Sequence, residues 1–390
     1  MDSDLYRCLR GERFEAEEWT ALLDEASAHS VLPLVAHHLI GVVPESLKPR
    51  LRGTLQETAM QNVMRHRDFA IVAKALRARG VEVLALKGIH LASVVYRDLA
   101  VRPMRDLDLL VRAEDLQRAG EALESIGYAP SRSYATTDGP TPYAVNHHLP
   151  QFTKSGATLV EIHWHIIPPS FDQRIDIREM WERSQTIRIA GEEVRVFAAE
   201  DLLLHLAVHA TYSHACDLSA QAWCDINETI RDRRISWSDV VERAIRWRCS
   251  RGTYLALRMS RDLLGAPVPD DVLASLMPSD FDPDLLRIAA RTKPASITNV
   301  SLPPERLAAQ TSLFGKLRTI AKRVFLPRET IADLYAVRRS SPLVPLLYAL
   351  RIRDALRNWR AAMRLRGNDV LRQAALDTLA MERFLHKKEA

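Results

Sequence analysis

At Val81 the spacing of apolar residues changes, and near Glu200 it changes back. Before the first switch, Trp19, Leu22, Leu23 and Ala26, and then Val63, Phe69, Ile71, Val72 and Leu76, recur at helical intervals. Gly80 stands where such a helix would stop, since glycine alone adopts a left-handed cap without strain. Between the switches the apolar runs are short and bounded by turn residues. Val81-Glu82-Val83-Leu84-Ala85-Leu86 and Asp106-Leu107-Asp108-Leu109-Leu110-Val111 read as strands, 89–97 and Glu114–Ile126 as helices, and 145–153, 158–167 and 186–197 as further strands. After Glu200, Leu202–Ala215, Ala222–Arg231, Trp237–Trp247 and Thr253–Leu264 are helical again. The alternation predicts an α+β protein: a mixed sheet flanked by N-terminal helices and a C-terminal helical bundle. The expected division is 1–78 helical, 79–198 the sheet core, 199–290 a helical domain, and 291–390 a linker and basic helical tail.

Composition narrows the class. With 390 residues, 47% hydrophobic and 26% charged, the chain is neither disordered nor collagen-like and has ample material for buried cores. Cys8, Cys216, Cys224 and Cys249 are too few and too scattered for a disulfide framework, and the 216/224 gap is too wide for a metal knuckle. Reduced thiols in a cytoplasm are expected. Met1-Asp2-Ser3-Asp4 is acidic, the reverse of a secretory leader. Ala26 to Pro44 lacks Lys, Arg, Asp and Glu, but Pro33 breaks it and His29, His37 and His38 interrupt it, so it reads as buried helix and not as a membrane span. From Lys316 onward there are 17 Lys+Arg against 7 Asp+Glu, with Arg351, Arg353, Arg357, Arg360, Arg364 and Arg366 interleaved with Leu350, Ile352, Leu356, Trp359, Met363 and Leu365. That pattern describes a solvated basic helix, which can also attract an anionic partner. Aromatic residues, at 6%, form no basic-aromatic ladder, and Trp223, Trp237 and Trp247 fall in apolar helical patterns as core residues. Neither a Walker A loop nor a Gly-x-Ser-x-Gly elbow is present.

The chemistry concentrates around Asp106-Leu107-Asp108. On a strand, alternate residues share a face, so both carboxylates project together while Leu107 and Leu109 turn to the core. Paired carboxylates repel unless neutralised, and a hard divalent cation, Mg²⁺ or Mn²⁺, suits them. Upstream, Leu86-Lys87-Gly88-Ile89-His90 runs from strand through glycine into helix, where the backbone can approach phosphate oxygens. Arg102-Pro103-Met104-Arg105 places guanidinium groups just before the acids. Downstream, Val160-Glu161-Ile162-His163-Trp164-His165-Ile166 alternates, with Glu161, His163 and His165 on one face. If that strand lies beside 106–111, Glu161 supplies a third carboxylate, and His163 or His165 an outer ligand or a hydrogen-bond partner.

These motifs resemble the bacterial uncharacterised nucleotidyltransferase family, within the polymerase-β-like nucleotidyltransferase superfamily. The resemblance rests on Leu84-Ala85-Leu86-Lys87-Gly88, Tyr96, and Arg102-Pro103-Met104-Arg105-Asp106-Leu107-Asp108-Leu109-Leu110-Val111. It continues through Glu161-Ile162-His163-Trp164 and Ala199 to His209, and covers about 15–275. It implies a nucleotidyltransferase core with metal-bound Asp106 and Asp108 and with Glu161 as the third acid. Lys87, Gly88, Arg102 and Arg105 are the expected phosphate contacts. The wider superfamily follows its glycine with Gly or Ser, whereas this chain has Ile89.

His205 and His209 stand one helical turn apart with His214 close behind, a spacing that can bind zinc, but Leu206 occupies the place where metalloprotease chemistry needs Glu. Hydrogen-bonded histidines, with His209 approaching phosphate, are the expectation. The functional expectation is transfer of a nucleoside monophosphate from an NTP to a hydroxyl or phosphate acceptor (small molecule, sugar, peptide or protein), with Mg²⁺ or Mn²⁺ as cofactor. Two alternatives stand beside it: a nucleotide-binding scaffold without turnover, motivated by Ile89, and a nucleic-acid-modifying or toxin-like transferase, motivated by the basic tail.

Overall fold

The computed structural model describes residues 3–12, 18–131, 147–168, 171–216 and 219–290, and beyond these 328, 331, 341–342, 345–350, 352–353 and 369–387. The linker expected from residue 291 and most of the basic tail, including Arg351, Arg357, Arg360, Arg364 and Arg366, lie outside the described residues. The described residues up to 282 form one compact unit, and those from 283 to 387 belong to a second. In the second unit, the helices Asp284–Ala290 and Asp369–Leu385 pack on each other.

The first unit is α+β, as the sequence predicts. Three short helices, α1 (Asp4–Leu9), α2 (Trp19–Ala28) and α3 (Leu32–Leu39), precede the 31-residue α4 (Lys48–Ala78). The uncharged stretch expected as one broken helix is divided at Ser30, in the left-handed region, and Pro33 falls in the first turn of α3. There its missing N–H costs nothing. On α4, Phe69, Val72 and Leu76 are buried but Val63 and Ile71 are exposed, because the stripe through Asn62, Phe69, Val72 and Leu76 is the one that meets the sheet. Gly80 ends the helix at φ +68°, with Val81 N donating to Leu76 O.

Seven strands form one mixed sheet in the order β3-β4-β5-β2-β1-β7-β6. They are β1 (Leu84–Ala85), β2 (Asp106–Leu110), β3 (Ala129–Pro130), β4 (Phe152–Thr153), β5 (Leu159–His163), β6 (Gln185–Ile189) and β7 (Glu192–Val196). Pairing is parallel for β2/β5 and β1/β7 and antiparallel elsewhere. The single strand expected over 186–197 is a hairpin instead: Ala190 and Gly191 both take positive φ, the geometry of a two-residue turn matched to strand twist. The run expected as a strand to residue 167 stops at His163, where Trp164 N and His165 N turn aside to His147 O.

Leu107, Leu109, Val160, Ile162 and Phe152 face α4 and α6 (Leu116–Ser125) and form the main core with Phe69, Val72, Leu76, Leu116 and Leu123. Each such side chain contributes about 1.5–3 kcal/mol through burial. The opposite face carries Asp106, Asp108 and, across the parallel pairing, Glu161 and His163. Beside it run α5 (Lys87–His90) and a π-helical turn, Leu91–Tyr96, where one regular helix was expected. After α7 (Ile177–Arg183), α8 (Ala199–Val208) passes into a second π-helical turn, His209–Ser213. The helices α9 (Ala220–Asp232), α10 (Trp237–Arg246), α11 (Ser250–Leu264) and α12 (Asp270–Leu276) complete the bundle, with Trp223 and Trp247 in its core as expected, while Trp237, expected there too, is only half-buried at the start of α10. Among the described residues no helix is long and apolar enough to cross a membrane.

Candidate active site

The site is built by one register. Strand β2 is central, β5 lies parallel beside it, and the pairing sets Asp108 against Glu161 and Leu110 against His163. The pleat turns all four of these side chains to one face. Asp108 is 5% exposed, and both its oxygens are engaged. His163 Nε2 lies 3.0 Å from Oδ1, and Lys87 Nζ lies 3.1 Å from Oδ2. The same His163 nitrogen is 3.4 Å from Glu161 Oε2, while Gln151 Nε2 donates to Glu161 Oε1 at 2.6 Å.

Electrostatics follow this geometry. Burial raises the proton affinity of Asp108, yet Lys87 and His163 overcome it and hold the carboxyl well below the usual range. For His163 burial works against the charged form, but hydrogen bonds to Asp108 and Glu161 prevail and raise its pKa. Burial also opposes ionisation of Glu161, and His163 with Gln151 lowers it nonetheless. Asp106 is the exception. Burial, then repulsion from Asp108 and Glu161 against an opposing pull from Lys87, pushes it up to about 6.

The expected residues therefore separate into groups. Asp108, Glu161 and His163 offer ligand atoms that all lie within 4.8 Å of one another. Asp106 shares their face and their field. Lys87 joins them and also contacts His209, whose Nε2 is 3.1 Å from Nζ. Arg102 does not turn to the acids. Its Nε and Nη2 donate to Asp225 Oδ1 and Oδ2, both at 2.8 Å, in a buried pair that also receives Tyr96 Oη at 3.0 Å. Burial disfavours the Arg102 charge, and Asp225 more than restores it. Gly88 is buried against the same segment: a Cβ there would lie 3.4 Å from Met104 Cγ and 3.6 Å from Arg102 Nη1. Arg105 is exposed and donates to Ser30 Oγ at 3.4 Å. His165 has left the strand, and its ring bonds Ile175 O (3.2 Å) and Ile167 N (3.2 Å).

Sequence reasoning missed several neighbours. Arg65 on α4 is half-buried; burial lowers its pKa, with Asp106 the largest opposing charge. It sits one turn beyond Asn62, whose Nδ2 donates to both Leu99 O and Arg102 O at 2.8 Å. Nothing local marks Arg65, because the burial of Asn62 and the face that α4 turns to the sheet are decided by the tertiary packing. His147 and His148 bring their rings to 5.4 and 5.3 Å from His163, and His214 Nε2 is 3.2 Å from His209 Nε2. Burial, reinforced by Lys87, keeps His205 and His209 neutral, well below the ordinary histidine pKa.

This donor set fits a divalent cation. Two carboxylates and an imidazole converge, and the carboxyl of Asp106 is crowded by like charge that a cation relieves. Fold and site together define an α+β protein with an acidic cluster on the face of its central strands turned away from α4 and α6. The chain belongs to the family described as uncharacterised nucleotidyltransferase, whose model matches residues 15–265. That span holds the whole sheet and site and ends before the basic tail. No curated protein matches the chain. Among solved structures it is similar to the antibiotic-resistance factor ANT(2'')-Ia, studied in solution, at 13% identity and a TM-score of 0.34 over 52% of this chain and 98% of that one. That likeness is too slight to say what this chain does.

Proposed function

We propose that the protein transfers a nucleoside monophosphate from an NTP to a hydroxyl or phosphate acceptor, with a divalent cation, Mg²⁺ or Mn²⁺, held by Asp108, Glu161 and His163 beside Asp106. The observation that carries this reading is the β2/β5 register, which brings two carboxylates and an imidazole from distant segments within 4.8 Å on one face. When bound, the cation would offset negative charge on the triphosphate and the attacking oxygen. Asp106 adds a charge to the same face; burial first, and then repulsion from Asp108 and Glu161 that a bound cation would relieve, raises its proton affinity. Lys87, on the edge of the cluster, and Arg65, on α4, supply positive charge for the phosphates, with Gly88 allowing α5 to pack close behind. His209 accepts from Lys87 and holds the ammonium at the site. The acceptor oxygen forms a bond to the α-phosphorus, the bond to the β-phosphate oxygen breaks, pyrophosphate leaves, and the acceptor proton passes to solvent. Catalysis of this kind rests on positioning and electrostatics.

The test is binding of Mn²⁺ and of labelled NTPs to wild type and to Asp106→Ala and Asp108→Ala. Affinities identical in all three proteins would remove the site. Mass spectrometry of candidate acceptors incubated with the four NTPs then reads the acceptor as a nucleotide-sized mass gain.

A second reading, a nucleotide-binding scaffold without turnover, is favoured by the closure of both Asp108 oxygens by Lys87 and His163. NTP binding without pyrophosphate release across a panel of acceptors distinguishes it. The nucleic-acid or toxin-like alternative leans on a tail most of which lies outside the described residues.

A further inference from the structure

A buried carboxylate without a counter-charge is costly, and this structure leaves none of the ligand oxygens bare. Asp108 Oδ1 meets His163 and Oδ2 meets Lys87; Glu161 Oε1 meets Gln151 and Oε2 meets His163. These partners differ in freedom. His163 is 6% exposed and anchored in β5. Lys87 is 18% exposed, at the junction of β1 and α5, and reaches Asp108 through an unbranched four-carbon stem. Its second contact, His209 Nε2 at 3.1 Å, belongs to a different element, the π-helical turn after α8. The ammonium therefore already has a second contact away from the carboxylate, on an element outside the sheet.

We propose that Lys87 is a resident counter-cation that occupies Asp108 in place of the divalent ion, so that the metal enters readily only with a polyphosphate that draws the ammonium off the carboxylate. This inference rests on the cation site proposed above and adds an order of assembly to it. A metal ion at Asp108 would stand beside the ammonium, and the two like charges repel at close range in a poorly hydrated pocket. A triphosphate arriving with the metal reverses the sign of that interaction: the ammonium exchanges one carboxylate oxygen for phosphate oxygens carrying more charge. Metal alone then binds weakly, metal with nucleotide binds well, and the acid cluster stays neutralised in the resting protein.

The experiment is Mn²⁺ titration of the full chain without nucleotide, reading free Mn²⁺ by electron paramagnetic resonance, for wild type, Lys87→Met, Lys87→Arg and Asp108→Asn. The expected result is Mn²⁺ binding about tenfold tighter in Lys87→Met, unchanged in Lys87→Arg, which keeps the charge, and lost in Asp108→Asn. Binding in Lys87→Met no tighter than in wild type, with Asp108→Asn still abolishing it, overturns the role of Lys87 and leaves the cation site standing. Wild-type binding in Asp108→Asn overturns the site itself. Because Lys87→Met removes a buried counter-charge and can lose its fold, a second measurement uses the wild type: acetic anhydride labelling of Lys87, read by peptide mass spectrometry. Labelling is expected to rise several-fold when Mn²⁺ is added and to fall again when a non-hydrolysable NTP joins it. No change on adding saturating Mn²⁺ overturns the proposal.

Discussion

Arg102 and Asp225, on the segment leading into β2 and on α9, meet in a bidentate pair with both hydrogen bonds at 2.8 Å and both side chains buried. The pair joins the bundle to the sheet four residues before the first acid of the site. Asn62 secures the Arg102 carbonyl, and Gln221 donates to Pro103 O at 3.0 Å, so the 102–103 segment is held by its side chain and its backbone together. Removing one member strands the other. Asp225→Ala is expected to cost about 3–5 kcal/mol in urea unfolding, and the double variant Arg102→Met/Asp225→Leu less than that. A double variant no more stable than Asp225→Ala would contradict this account of the pair.

The two acids of β2 are expected to respond oppositely in thermal melts without metal. Asp106 is repelled by Asp108 and Glu161, so Asp106→Asn should leave the melting temperature unchanged or raise it. Asp108→Asn deprives Lys87 and His163 of their partner and should lower it. In pyrophosphate-release assays both variants are expected to lose activity by about a hundredfold or more, the scale of losing a preorganised charge. Equal melting temperatures for the two variants would argue against the charge arrangement.

His90 is 1% exposed, and burial, then Arg233, pushes its pKa down to about 3. In the unfolded chain histidine takes a proton near pH 6.5. Between those values the unfolded state binds more protons, so this contribution is complete above about pH 6.5 and is lost as the pH falls toward 3. His147, also pushed down to about 3 by burial and neighbouring His163, acts in the same sense. Asp106 acts oppositely: its pKa near 6 exceeds the unfolded value, so its share is present below about pH 4 and lost as the pH rises through 6. Below about pH 6, urea unfolding should show stability falling by up to about 1.4 kcal/mol per pH unit for each such histidine, less the Asp106 share. His90→Gln should flatten that slope.

Gly252, near the start of α11, lies under the π-helical turn that carries His209. A Cβ there would collide with the Tyr212 ring and Thr211 Oγ1, and Gly252 N donates to Tyr212 Oη at 3.1 Å, so the two segments have no room to part. Gly252→Ala is expected to cost about 1–3 kcal/mol in urea unfolding, and an unchanged midpoint would show that the turn yields freely.

The acid face was legible because it depends on local rules. Alternation in β2 and β5 puts Asp106 with Asp108 and Glu161 with His163 whatever else the chain does, and the family motifs gave their order. The break of 186–197 at Ala190-Gly191 was less visible, because alanine rarely marks a positive-φ turn. The two π-helical turns, Leu91–Tyr96 and His209–Ser213, have apolar spacing close to that of an α-helix and were read as one. Arg102 shows the clearest limit. An arginine just before two acids looks like a phosphate contact until Asp225 arrives from α9.

The sequence by itself determined the α+β class, the faces of the strands and the acids that share a surface, because sterics, pleat and helical period act over a few residues. Only the tertiary structure decided that β5 lies parallel to β2 with Glu161 level with Asp108, that Lys87 caps Asp108, and that Arg102 belongs to the bundle. Those choices are made between segments tens of residues or more apart, where the buried charge is settled by whichever partner the packing of the whole unit brings within reach.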